Sequence, residues 1–96
     1  MRVMARITVP VEAGNQAIKD GSLGTTMQRA AQRWQPESMY FTTFDGQRAA
    51  YMVFDLPDAS DIPSFAEPFF SEIAANVEIT PAMDAADLEK GLTQLG

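Results

Sequence analysis

The sequence predicts an α+β fold in which a four-stranded antiparallel sheet carries two helices on one face. Three observations lead there. Segments in which apolar residues alternate along the chain stand near both ends, at Arg2 to Val9 and Ala74 to Thr80. Between them, "YFTTFDGQRAAYMVF" (Tyr40 to Phe54) has the form of a β-hairpin around Asp45-Gly46, a pair suited to a type I′ turn because both central residues need positive φ. Stretches with apolar residues at three- and four-residue spacing, the period of an amphipathic helix, separate these strands.

In the first strand Val3, Ala5, Ile7 and Val9 share one side, Met4, Arg6 and Thr8 share the other, and Pro10 ends the run. From Ala13 the pattern turns helical. Gly21 and Gly24 in "KDGSLG" each cost about 1 kcal/mol against Ala in a helix interior, so a short helix, a break and a second helix are expected. The second starts near Asp20 or Ser22, either able to cap it, and aligns Leu23, Met27, Ala30, Ala31 and Trp34 before Pro36 stops it. In the hairpin, Phe44 faces Gln47, Thr42 faces Ala49 and Tyr40 faces Tyr51 on one side, while Phe41 faces Ala50 and Met39 faces Met52 on the other.

After Leu56, Asp58 or Asp61 can cap a helix and Pro63 suits its first turn. Phe65, Phe69 or Phe70, and Ile73 form its apolar stripe, and the three Phe residues are expected in the core. Pro68 has no amide to donate and is expected to kink the helix or end it early. The last strand sets Val77 and Ile79 against Asn76, Glu78 and Thr80, and Pro81 closes it. "MDAADLEKGL" reads as a short terminal helix capped by Asp84, with Asp87 completing a box-like pattern. Without a linker, repeat or low-complexity segment, residues 1–96 are expected to form one domain.

The order strand, helix, strand, strand, helix, strand is the ferredoxin-like βαββαβ pattern, in which the crossover helices lie on one face of the sheet. Val3, Ile7, Val9, Val77 and Ile79 mark the helix-covered face, joined by Met39, Phe41, Ala50, Met52 and Phe54. The open face holds Met4, Arg6, Thr8, Tyr40, Thr42, Phe44, Tyr51, Val53, Asn76, Glu78 and Thr80. A face left to solvent would be polar throughout, yet this one surrounds Arg6 and Glu78 with aromatic and aliphatic groups. A two-fold homodimer packing sheet face on sheet face is the expected cover. The simpler alternative is that exposed Tyr and Thr are good strand formers.

Composition removes several classes of function. A net charge of −6 with seven Lys plus Arg and no basic run repels phosphate backbones and anionic lipid, so neither nucleic acid nor membrane is an expected partner. "MRVMARITVP" alternates like a strand rather than forming a signal peptide, no apolar stretch is long enough to span a membrane, and a cytoplasmic location is expected. The chain has no Cys, hence no disulfide, thiolate metal site or Cys nucleophile. It has no His, hence no imidazole base, His-bound zinc or haem, or Ser-His-Asp triad. No metal or cofactor is expected.

The candidate cavity residues are Arg6, Tyr40, Tyr51, Asn76 and Glu78, all on the open face. Arg6 held by Glu78 on the neighbouring strand can present a planar fork to an anion, or the two can simply be a cross-strand ion pair under an interface. Tyr40 and Tyr51 can hydrogen-bond a ligand or serve only as packing partners. Trp34 is expected to anchor the core, "GSLG" to break the helix, and Asp55, Asp58 and Asp61 to serve near a helix start rather than to bind calcium.

The segments "VPVEAGNQAIKDGSLG", "YFTTFDGQRAAYMVFD", "DASDIPSFAEPFF" and "TPAMDAADLEKGL" cover most of the chain, and through them it resembles small bacterial proteins of unknown function in the dimeric α+β barrel superfamily. "DIPSFAEPFF" is the most specific of these runs. Some of those proteins carry the label panthothenate synthetase, but a pantothenate-forming ligase needs an ATP site and this chain has no phosphate loop. The resemblance implies two subunits joining their sheets around an interior cavity. It also implies kinship with muconolactone isomerases, cofactor-independent monooxygenases and haem enzymes, the last branch being at odds with the absence of His. The leading expectation is a homodimer binding a small aromatic or anionic molecule between its sheets. The alternatives are a cofactor-independent isomerase or monooxygenase, using Arg6, a Tyr and Glu78 to stabilise an enolate-like anion, and a purely structural interaction module.

Overall fold

Period-two alternation in the first strand divides the molecule into a buried and an open side. Val3, Ala5, Ile7 and Val9 are each at most 1% exposed, whereas Met4, between the first two, is 40% exposed. The computed structural model describes Met1 to Gly96. Its elements are β1 (Arg2–Val9), α1 (Val11–Lys19), α2 (Ser22–Trp34), β2 (Ser38–Phe44), β3 (Gln47–Asp55), a 3₁₀ turn (Ala59–Asp61), α3 (Ile62–Ile73), β4 (Asn76–Pro81) and α4 (Ala85–Thr93). The strands form one open sheet in the order β2-β3-β1-β4, antiparallel throughout. This α+β architecture of a four-stranded sheet with four helices is compatible with a ferredoxin-like fold. No helix is long and apolar enough to cross a membrane.

The hairpin has the expected register, with Phe44 opposite Gln47, Tyr40 opposite Tyr51 and Phe41 opposite Ala50. Asp45 and Gly46 take φ of 52° and 75°, as the primed turn requires. The helix break also forms where expected: Gly21 is left-handed at φ 80°, and Asp20 accepts the Ser22 amide at 2.8 Å. α1 begins at Val11, two residues ahead of Ala13, because the Pro10 carbonyl already accepts the Gly14 amide at 2.8 Å.

The core is an aromatic run between helices and sheet. Trp34 lies 5.5 Å from Phe54, Phe54 stacks on Phe65 at 4.5 Å, and Phe65 meets Phe69 at 5.2 Å between ring centroids. Ile7, Met52 and Ala50 complete its floor on the sheet.

Four expectations are corrected. Of the two outcomes expected of Pro68, the early end does not occur: α3 continues to Ile73 with Pro68 inside it. Ser64, whose carbonyl loses its usual i+4 donor, and Pro68 are both exposed, so water can serve that carbonyl while buried Phe65, Ala66, Phe69 and Ile73 hold the helix down. Phe70 is 43% exposed, because the stripe at 65, 69 and 73 turns the next position outward. β4 starts at Asn76, since Ala74 closes α3 in the left-handed region at φ 52°. Asp58 and Asp61 form a reciprocal capping box, but Asp55 lies apart from it and bonds the Met1 amino group at 2.9 Å.

α4 has the predicted box: Asp84 accepts the Asp87 amide at 2.8 Å and Asp87 accepts the Asp84 amide at 3.2 Å. Arg2 ties this first turn to the sheet, with Nη1 3.2 Å from Asp84 and 3.6 Å from Asp87, while its Nε donates to Glu37 at 2.5 Å. Beyond that turn the helix buries nothing. The molecule is accordingly drawn out to 54 × 27 × 18 Å, and its radius of gyration of 15.0 Å exceeds the roughly 12 Å usual for this length.

Two outcomes follow for stability. In urea unfolding, Phe65→Ala is expected to cost about 3–5 kcal/mol, and Phe70→Ala, at a half-exposed ring, about 1–2 kcal/mol. The Asp87 amide bond, aided by the charge of Arg2, holds the Asp84 carboxyl below its usual range, and the Ser60 hydroxyl and amide do the same for Asp58. Folded values below the unfolded ones mean that both caps contribute fully above about pH 4 and lose that contribution as pH falls through the lowered values. The Asp87 amide resonance should therefore move during acid titration at a pH below the ordinary carboxylate range, and Asp84→Asn should remove that transition.

Candidate functional site

The register assembles a site that no single element contains. On the open face Arg6 of β1 lies between Tyr51 of β3 and Glu78 of β4, and Tyr51 lies opposite Tyr40 of β2. One row, Tyr40–Tyr51–Arg6–Glu78, thus crosses the whole sheet and contains four of the five predicted cavity residues. Asn76, the fifth, belongs to the adjacent row opposite Thr8 and lies beside the site rather than in it.

Arg6 is the centre of the row. Its Nη2 donates to the Glu78 carboxylate, and its guanidinium carbon sits 3.6 Å from the centroid of the Phe44 ring. Phe44 is on β2, two residues along from Thr42, which faces Ala49 of β3. Ala49 is on the open face and yet only 5% exposed. Its single methyl leaves the space above β3 in which ring and guanidinium meet. Burial pulls the Arg6 pKa down, but the hydrogen bonds to Tyr51 and Glu78 and the charge of Glu78 outweigh it, so the cation is held more firmly than in free arginine. With Glu78 and Tyr51 engaged, the other donors of the five on a guanidinium can turn to an anion, beside two phenols and above an aromatic ring.

Tyr40 is 71% exposed, and Met4 and Phe44 are 40% and 38% exposed, so the face around Arg6 is open and partly apolar. No group of three acidic, His or Cys side chains is placed to hold a metal ion.

Sequence patterning left two features unrecognised. The contact between Phe44 and Arg6 crosses strands diagonally over a small residue, and only the spacing of Ala49 between large open-face neighbours hints at it. The other feature corrects the expectation that helices cover Phe41. β2 is an edge strand, Phe41 is 64% exposed, and between β2 and α2 a groove of about 640 Å³ is lined by Leu23, Met27, Ala31, Met39, Phe41 and Arg48 among others.

No protein-family model matches the chain, and neither does any curated protein.

The role of Ala49 can be checked directly. Ala49→Leu should part Phe44 from Arg6 and destabilise the chain by about 1–3 kcal/mol through overpacking, read by urea unfolding, with the Phe44 ring resonances losing the shift caused by the adjacent cation.

Proposed function

We propose that this chain is a homodimer of the dimeric α+β barrel type, with two open sheet faces enclosing a cavity in which Arg6 receives a small anionic or aromatic molecule. The observation that carries the reading is Arg6 held between Glu78 and the Phe44 ring in a row that continues into Tyr51 and Tyr40. A guanidinium oriented by a carboxylate and an aromatic face is preorganised for a carboxylate or enolate, and flanking phenols offer both stacking surface and hydrogen bonds. An uncovered face carrying Tyr40, Met4 and Phe44 is also the kind of surface that a symmetric partner covers. The resemblance of the chain to that superfamily points the same way. Binding is preferred to catalysis because Glu78, the one carboxylate in the row, is engaged by Arg6 and acts as its orienting partner rather than as a free base.

A native mass spectrum of protein purified gently from its own host should show a dimer with a reproducible small-molecule adduct. Benzoate serves as a defined probe: titrated by NMR, it should shift resonances of Tyr40 and Tyr51, and Arg6→Ala should weaken its binding by about tenfold or more. A monomer at working concentration overturns the assembly. Unchanged benzoate affinity in a folded Arg6→Ala dimer overturns the site.

A further inference from the structure

We infer that Arg48 and the apolar trough beside it bind a free fatty acid, its carboxylate on the guanidinium and its tail laid between α2 and β2. Three arginines of this chain are half-buried: Arg2, Arg6 and Arg48. Arg2 has Glu37, Asp84 and Asp87, and Arg6 has Glu78. Arg48 has no carboxylate partner, although the chain holds 13 acidic residues against seven basic ones. Its two hydrogen bonds go to neutral oxygens, from Nη1 to the Val11 carbonyl at 3.4 Å and from Nη2 to Asn15 Oδ1 at 3.0 Å. Nε and one hydrogen on each terminal nitrogen remain to be used. A partly desolvated guanidinium in this condition is matched by an anion from outside the chain.

The sequence also builds a seat for that guanidinium. Arg48 is on the helix-side face of β3, opposite Val9 of β1, and its head lies against α1 at Gly14. A Cβ at Gly14 would overlap Nη1, so a glycine here is what lets the guanidinium approach the helix backbone. Asn15, the next residue, holds the other terminal nitrogen. An arginine anchored through both arms of its fork is preorganised for a ligand rather than free to swing into water.

The trough supplies the place for a tail. Its volume of about 640 Å³ is in the range of small-molecule sites, and Arg48 is the one charged residue in a lining dominated by Leu23, Met27, Ala31, Met39 and Phe41. Register gives its direction. Arg48 is opposite Thr43 beside the hairpin turn, while Met39 is opposite Met52, four residues along β3 and about 13 Å away. α2 runs the same way, since Trp34 at its end meets Phe54 near the end of β3. One cation therefore stands at one end of an extended apolar trough, which matches one anionic head on an extended apolar tail. Met27 and Met39 are flexible enough to repack around such a tail, and Phe41, on the helix side yet 64% exposed, is the wall it would cover. A doubly charged phosphate head would meet a single cation in a chain of net charge −6, so a monocarboxylate is the better match. The site lies on the opposite face of the sheet from Arg6, and either site can exist without the other.

Decanoate, kept below the concentration at which it forms micelles, is the probe, with decanol and acetate as tail and head alone. Each is titrated into the full chain by calorimetry and by NMR of the methionine methyl groups. Decanoate is expected to bind at least about tenfold more tightly than either control and to move the Met27 and Met39 methyl resonances. Arg48→Gln should lower decanoate affinity by about tenfold, toward that of decanol, while Arg6→Ala leaves it unchanged and so separates this site from one on the open face. Decanol binding as tightly as decanoate, shifts confined to Tyr40 and Tyr51, unchanged affinity in a folded Arg48→Gln protein, affinity lost in a folded Arg6→Ala protein, or no decanoate binding overturns the inference. The comparison of decanoate with decanol uses the unaltered chain, so it decides the matter even where a variant fails to fold.

Discussion

β1 is paired on both sides, and almost everything else in the molecule depends on that double pairing. Because β3 and β4 both take their register from it, the choice of which β1 residues face inward decides the face of every other sheet residue. A slip of one residue would carry Val3, Ala5, Ile7 and Val9 to the open side and bring Arg6 into the aromatic core. Burying an unpaired guanidinium there would be prohibitive. The core therefore enforces the position of Arg6 on the opposite face, and the row from Tyr40 to Glu78 is a by-product of the same registration.

How much of this was legible beforehand can be judged residue by residue. The Asp45-Gly46 turn states its own geometry, and with it the opposition of Tyr40 to Tyr51. Pro10, Pro36 and Pro81 punctuate the strands and helices at or within two residues of the observed limits. Arg6 and Glu78 could be paired from alternation and topology together. Periodicity reports a face but not whether anything rests on that face, which is why Phe41 looked covered. It also reports apolar character without saying which of two adjacent aromatics is sheltered, as Phe69 and Phe70 show. The diagonal meeting of Phe44 and Arg6 depends on twist and on the small size of Ala49, neither of which is visible in a one-dimensional pattern.

The two sides of the sheet solve the problem of exposure differently. On the helix side α2 and α3 close over β1, β3 and part of β4 with an interlocked set of rings, leaving the outer strand β2 only partly sheltered. On the open side, shelter is local, supplied by the Arg6 side chain lying over its neighbours. A cation on an aromatic ring beside a carboxylate is a way to cover apolar surface without making it hydrophobic. The face can thus meet water, a ligand or another protein surface without its central charge being stranded.

The seven residues of β2, Ser38 to Phe44, contain three bulky apolar or aromatic side chains beyond Met39's own bulk in Tyr40, Phe41 and Phe44, and have no charge and no proline. One long edge of this strand has no hydrogen-bonding neighbour. Such a segment has the signature of strands that stack into cross-β fibrils, and natural edges usually carry lysine, proline or a bulge against it. Here none of those safeguards is present in the strand itself, so this edge is where the chain is most open to strand-on-strand pairing between copies at high concentration.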